Sequence, residues 1–154
     1  MNFWRLVYSS TPNSLSKIGE VMEIGSKVEI AYRVQSSDLA KELSDDPQDD
    51  FPEVYATSRM IALMELAAAR LMKSILLDGE LSVGVNVSVT HLAATPNNVD
   101  VRAVAIYQGK EGKLHKFDVE LYDQAGKAGV GTHTRAVVKT ERLMEGALKR
   151  VGAV

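Results

Sequence analysis

Apolar and polar positions alternate from residue 27 to 35, where Val28, Ile30, Tyr32 and Val34 interleave with Glu29, Ala31 and Arg33. A period of two predicts a half-buried strand. An acidic connector follows, Asp45-Asp46-Pro47-Gln48-Asp49-Asp50-Phe51-Pro52, whose two prolines stop regular structure. Just before it, residues 38–43 read as one short helical turn. The pattern then changes. Residues 56–77 contain neither Pro nor Gly, are rich in good helix formers, and end at Asp78-Gly79. This helix is apolar nearly all round, with Arg59, Arg70, Lys73 and Ser74 as one narrow polar stripe, so it is expected in the middle of a domain. Period two returns at Val83, Val85, Val87 and Val89. Further strands are predicted over 99–107, 114–122 and 129–139, with connections at Thr95–Asn98, Gly109–Gly112 and Gln124–Lys127. Residues 141–150 read as a short amphipathic helix.

One apolar helix followed by hairpin-linked strands predicts an α+β fold, a long central helix wrapped by an antiparallel sheet, with successive strands as neighbours. A single sheet has two open edges, which are commonly paired or covered, so a dimer is expected. The expected organisation is an N-terminal extension of unassigned role over 1–26, a domain over 27–140 and a tail over 141–154. The extension reads as an extra strand or a docked arm.

Composition narrows the field of functions. The chain has 154 residues, 45% of them hydrophobic, which is enough for a single core without staples. Eighteen basic residues against twenty acidic give a net charge of −2, which removes the bulk electrostatic case for nucleic-acid binding. With no cysteine there is neither a thiolate nucleophile nor a disulfide. The three histidines, His91, His115 and His133, lack short metal-ligand spacing, and no phosphate-binding glycine motif is present. No run reaches the ~18 apolar residues of a membrane span. A cytoplasmic protein without metal or cofactor is the expectation.

Three side chains do not match their apolar surroundings. Glu65 has Ile61, Ala62, Ala68, Ala69 and Met72 among its helical neighbours. It reads either as a catalytic carboxylate or as a structural partner for a buried arginine. His91 shares a face with Val83–Val89 provided that no bulge intervenes, and reads as a general acid–base group or as a hydrogen-bonded core residue. Thr57 opens the helix and reads as a reacting or positioning hydroxyl or as an N-cap. Gly84 marks a close backbone approach or a bulge. In Gly131-Thr132-His133-Thr134-Arg135, His133 is expected with Lys139 on a solvated outer face. A hydroxyl, a carboxylate and an imidazole aimed at one apolar surface could perform acyl transfer.

The stretches FPEVYATSRMIALMELAAARL, SVGVNVSVTHLAATP and GVGTHTRAVV resemble the hot-dog-fold acyl-CoA thioesterases of the fluoroacetyl-CoA thioesterase type. The Thr57–Glu65 spacing of eight and the Glu65–His91 spacing of 26 match the family pattern, as do Gly84 and Arg135. The resemblance covers residues 51–139. It implies a dimer, or a higher even oligomer, with its sites at the subunit interface, and an acyl-CoA substrate in which coenzyme A is part of the substrate rather than a cofactor. It further implies Thr57, Glu65 and His91 as catalytic residues, Gly84 beside the thioester carbonyl and Arg135 holding the coenzyme A arm. Phe51 is expected on the segment leading to the pocket. Two other activities fit the same fold: an enoyl-CoA hydratase or dehydratase, which needs no Thr57, and a non-catalytic module binding acyl-CoA or a small acid.

Overall fold

A computed structural model describes residues 21–153. Its elements are β1 (Lys27–Arg33), two 3-10 turns (Ser36–Asp38 and Ala40–Leu43), α1 (Thr57–Met72) continued by a 3-10 turn (Lys73–Ile75), β2 (Glu80–His91), β3 (Asp100–Glu111), β4 (Leu114–Asp123), β5 (Gly126–Lys139) and α2 (Thr140–Arg150). The five strands form one antiparallel sheet in the order β1-β3-β4-β5-β2. This is the expected α+β architecture, with two adjustments.

The first concerns strand order. β3, β4 and β5 are neighbours through hairpins, but β2 and β3 are not. The segment after His91 carries the chain from one edge back across the sheet, and β2 pairs only with β5. The second concerns the β3–β4 turn. The strands run on to Glu111 and restart at Leu114, so Gly109 lies within β3 at a register shift rather than in the connection.

α1 packs on the sheet through Met60, Leu63, Met64, Ala67, Ala68 and Met72, a run of threes and fours that defines one helix face. Against it stand Val101, Ala103, Ala105 and Tyr107 of β3 and Phe117, Val119 and Leu121 of β4. Small residues on both sides bring helix and sheet close. At Gly129 of β5 the approach is close enough to need a glycine, since a Cβ there would lie 2.5 Å from Met60 Sδ. Only one face of the helix is covered, because a single sheet cannot enclose a helix. The other flank leaves Ala62 and Leu66 exposed, where a helix buried nearly all round was expected.

The extension read over 1–26 falls mostly outside the described residues. Of its last residues, Gly25 donates a backbone hydrogen bond to Tyr107, Ser26 accepts one from Tyr107, and Met22 packs on the core. No helix among the described residues is long and apolar enough to cross a membrane.

Candidate active site

The edge strand β2 is irregular where it matters. Its ladder with β5 pairs Gly84 with Arg135 and then Asn86 with Thr134, so β2 carries one extra residue between those pairs. A bulge of this kind inverts the alternation of everything beyond it. Ahead of it Ser82 and Gly84 face α1; after it Val87, Val89 and His91 do. Unbroken alternation would have put His91 on a face with Val83 and sent Gly84 to the reverse of the sheet. The bulge corrects that reading: Val83 faces away, while Gly84 and His91 both face the helix.

At one end of this surface Thr57 Oγ1 and His91 Nδ1 share a hydrogen bond of 2.8 Å. Thr57 is not a cap. Ala56 occupies the N-cap position, Thr57 is the first helical residue, and its hydroxyl is engaged by the imidazole instead. The other ring nitrogen, His91 Nε2, is buried without a hydrogen-bond partner among the described residues.

At the other end Glu65 lies over Gly84. A Cβ on residue 84 would run into Glu65 Oε1 and would stand 3.2 Å from His133 Cε1, so only glycine leaves the carboxylate its place. Glu65 Oε1 is 3.6 Å from His133 Nε2 and 3.9 Å from Arg135 Nη1. Arg135 is 7% exposed. Its Nε donates to Ser82 Oγ at 3.0 Å and its Nη2 to the Ser82 carbonyl at 2.8 Å. Burial lowers the pKa of Arg135, and Glu65 partly offsets that effect. A guanidinium nevertheless stays charged in proteins. The carboxylate is therefore not stranded among apolar groups as its helical neighbours suggest. One flank meets a buried cation and the other is open, leaving the side chain 40% exposed.

His133 is the main correction to the sequence reading. It is 1% exposed and faces α1, where a solvated outer position was expected. Along β5 it shares parity with Gly129, which lies against Met60 and Met64, and with Arg135, which lies by Glu65. Lys139 does stand in solvent, paired with Glu80 at 3.2 Å. Arg135, expected along the coenzyme A arm, has its guanidinium turned inward to Ser82, His133 and Glu65. Phe51 is 45% exposed at the end of the acidic connector, and the chain beyond it is pinned by bridges between Val54 and Pro96 and between Leu39 and Tyr55. Ser82 and Asn86 also belong to the site, and no motif or spacing marks either of them.

Thr57 and His91 thus form one cluster, and Glu65, Gly84, His133 and Arg135 a second. Eight helical residues separate Thr57 from Glu65, roughly 12 Å of rise. Seven strand residues separate Gly84 from His91, roughly 20 Å with the bulge. The two clusters mark opposite ends of the same helix–edge-strand seam.

The fluoroacetyl-CoA-specific thioesterase (FlK) family model matches residues 34–141. The fluoroacetyl-CoA thioesterase of Streptantibioticus cattleyicolor is 42% identical over 93 residues, covering 60% of this chain and 67% of that protein. A solved structure of the fluoroacetyl-CoA thioesterase FlK superposes with a TM-score of 0.80 at 33% identity, over 84% of this chain and 98% of that one. A mutant of FlK in complex with fluoroacetate and CoA gives a TM-score of 0.75 at 35% identity, over 79% and 99% of the two chains. The matched region holds the whole helix–edge-strand seam, and with its hot-dog fold the chain belongs to the fluoroacetyl-CoA-specific thioesterase family.

Proposed function

We propose that this protein hydrolyses an acyl-CoA thioester to the free acid and coenzyme A, in a composite site that two copies of the chain complete. The observation that carries the reading is the division of the polar residues. A carboxylate against a glycine backbone lies at one end of edge strand β2, and a hydroxyl–imidazole pair at the other. Antiparallel pairing of two β2 strands about a dyad near Val87 and Ser88 sets Gly84 of one protomer opposite the partner's His91. Two sites result, each with Glu65 and Gly84 from one chain and the partner's Thr57 and the partner's His91 from the other. The unpaired edge and the exposed Val85 (54%) and Val87 (36%) suit such pairing.

In this arrangement the thioester carbonyl lies beside Gly84, and Glu65 either attacks the carbonyl carbon or takes a proton from an attacking water. The C–S bond breaks, and the hydrogen-bonded imidazole–hydroxyl pair delivers the proton that the coenzyme A thiolate needs; where Glu65 itself has attacked, water then cleaves the resulting anhydride, releasing the acid and restoring the carboxylate. Arg135 supports the Glu65 carboxylate from behind, and Phe51 stands on the approach. Because acyl-CoA thioesters are charged and do not cross membranes, the cytoplasm is the compartment in which the enzyme meets its substrate.

Free-thiol release from a panel of acyl-CoA thioesters tests hydrolysis itself; hydration of an enoyl-CoA without thiol release would replace this reading. Subunit mixing tests the composite site. Glu65→Gln and His91→Ala are each expected to be inactive alone. After unfolding and refolding together they should regain about a quarter of wild-type activity, because half of the dimers are mixed and each mixed dimer has one intact site. No recovery in verified mixed dimers would place both residues in a single chain's site.

A further inference from the structure

His133 hydrogen-bonds through both ring nitrogens, and its partners fix its protonation. Nδ1 lies 2.7 Å from the backbone oxygen of Asn86, the residue immediately after the β2 bulge. A carbonyl only accepts, so Nδ1 carries the hydrogen. Nε2 lies 3.1 Å from Arg135 Nη1, and a guanidinium only donates, so Nε2 presents a lone pair. The ring is therefore a neutral imidazole of one defined tautomer.

The charged and titratable groups around it are Glu65 from α1 and Arg135 from β5, with His115 further along β4. From β4 the nearest ring is Phe117, 6.4 Å away, and β2 contributes only the Asn86 carbonyl. Glu65 favours a proton on Nε2 from 3.6 Å, while Arg135 opposes it from 3.1 Å together with burial. Loss of solvent, helped by the nearer cation, prevails over Glu65 and the Asn86 carbonyl, and the pKa of His133 is lowered. The guanidinium is consequently held by three acceptors: Ser82 Oγ, the Ser82 carbonyl and His133 Nε2. His133 takes the nitrogen that also faces Glu65.

We propose that His133 is a positioning residue for the acyl-transfer site: its Nε2 lone pair aims the Arg135 guanidinium at Glu65, and the Asn86 carbonyl beyond the bulge keeps that lone pair in place. This rests on the thioesterase reading for its kinetic consequence but not for its structural one. Long-range proton–nitrogen NMR on the wild-type dimer should show His133 with Nδ1 protonated and Nε2 bare near neutral pH. A protonated Nε2 would overturn the proposal whatever the enzyme hydrolyses.

The kinetic arm uses thiol release. His133→Leu, or His133→Met where leucine does not fold, removes the acceptor and should lower kcat roughly ten- to hundredfold while KM stays within about threefold, as small misplacements of a reacting group do. His133→Gln restores an acceptor near the Nε2 position and should recover most of that loss. A folded variant without an acceptor that turns over at the wild-type rate would refute the positioning role. So would a glutamine variant no better than leucine. If the wild-type enzyme releases no thiol, the hydrolytic reading fails and the tautomer alone decides the role of His133.

Discussion

Replacing Glu65 by glutamine keeps the shape and removes the charge, so it separates the two roles that the geometry allows. If the residue is structural, its worth is its attraction to Arg135. At 3.9 Å two unit charges attract by about 4 kcal/mol at an effective dielectric of ~20 and by about 1 kcal/mol in water. The Glu65 side chain is 40% exposed, which draws the value towards the aqueous end. Arg135 also keeps its bonds to Ser82 and His133 when the carboxylate is gone, so it is not left as an uncompensated buried charge. A loss of roughly 1–2 kcal/mol follows, which at about 2–4 °C per kcal/mol lowers Tm by less than about 8 °C for a chain of this size.

The catalytic role predicts a much larger effect on rate. Loss of an acid–base or nucleophilic carboxylate costs roughly 10²-fold or more in kcat, at least about 2.7 kcal/mol of barrier. Instability cannot imitate this, because a domain with 5–15 kcal/mol of stability remains almost wholly folded after losing about 2. Thiol release and thermal melting on one Glu65→Gln preparation therefore separate the roles. Wild-type turnover per folded molecule, whatever the Tm, would make Glu65 a structural partner of Arg135 and remove the proposed chemistry.

Thr57→Ala should leave Tm within about 2 °C of wild type, since no cap is lost, yet lower kcat at least about tenfold; Thr57→Ser should keep most activity. A Tm loss with unchanged kcat would return Thr57 to a local structural role. Stability should also depend on pH through the buried histidines. Burial lowers the pKa of both His133 and His115, whose ordinary value is 6.5. The unfolded chain then binds protons before the folded one does. The stability this represents is fully present above pH 6.5 and is lost as the pH falls through the lower folded values. Tm should drop on moving from about pH 7.5 to about pH 5.5, and the drop should be smaller in a His133→Gln, His115→Gln double variant. An equal drop in that variant would assign the effect to the carboxylates.

Much of the fold is legible because its elements follow simple periods. The alternation of Val28, Ile30, Tyr32 and Val34 and the uninterrupted helix formers around Glu65 lead to the right elements within a few residues. The site is less legible, for one physical reason. Parity along β2 holds only if the ladder is regular, and nothing in SVGVNVSVTH shows that an extra residue sits between Gly84 and Asn86. Gly84 hints at a bulge or a close approach, and in fact it marks both. His133 reads as solvated because Thr132, Thr134 and Arg135 give its strand a polar pattern. A buried arginine with three acceptors produces the same letters as an exposed one, and only the third dimension distinguishes them.

The two edges of the sheet are guarded differently, and the difference bears on where the proposed second copy would dock. β1 presents Lys27, Glu29 and Arg33, with Glu29 paired to Arg102 at 3.2 Å and Arg33 to Asp100 at 2.7 Å. Charges of this kind deter edge-to-edge pairing. Between Leu81 and Thr90, β2 carries no charged residue at all and leaves Val85 and Val87 in contact with solvent. An uncharged edge of this length invites pairing with a second strand unless a partner covers it. Ser88→Lys places a charge almost on the proposed dyad, so pairing would bring two like charges face to face. Cross-strand repulsion of that sort, with the desolvation of two ammonium groups, should weaken the dimer at least about tenfold and lower activity with it. Ala31→Lys on β1 adds the same charge to the guarded edge and should alter neither. Sedimentation equilibrium at low micromolar concentration, with thiol release on the same samples, reads both effects. If Ala31→Lys dissociates the assembly and Ser88→Lys does not, the copies meet through β1, and Glu65 and His91 cannot belong to one shared site.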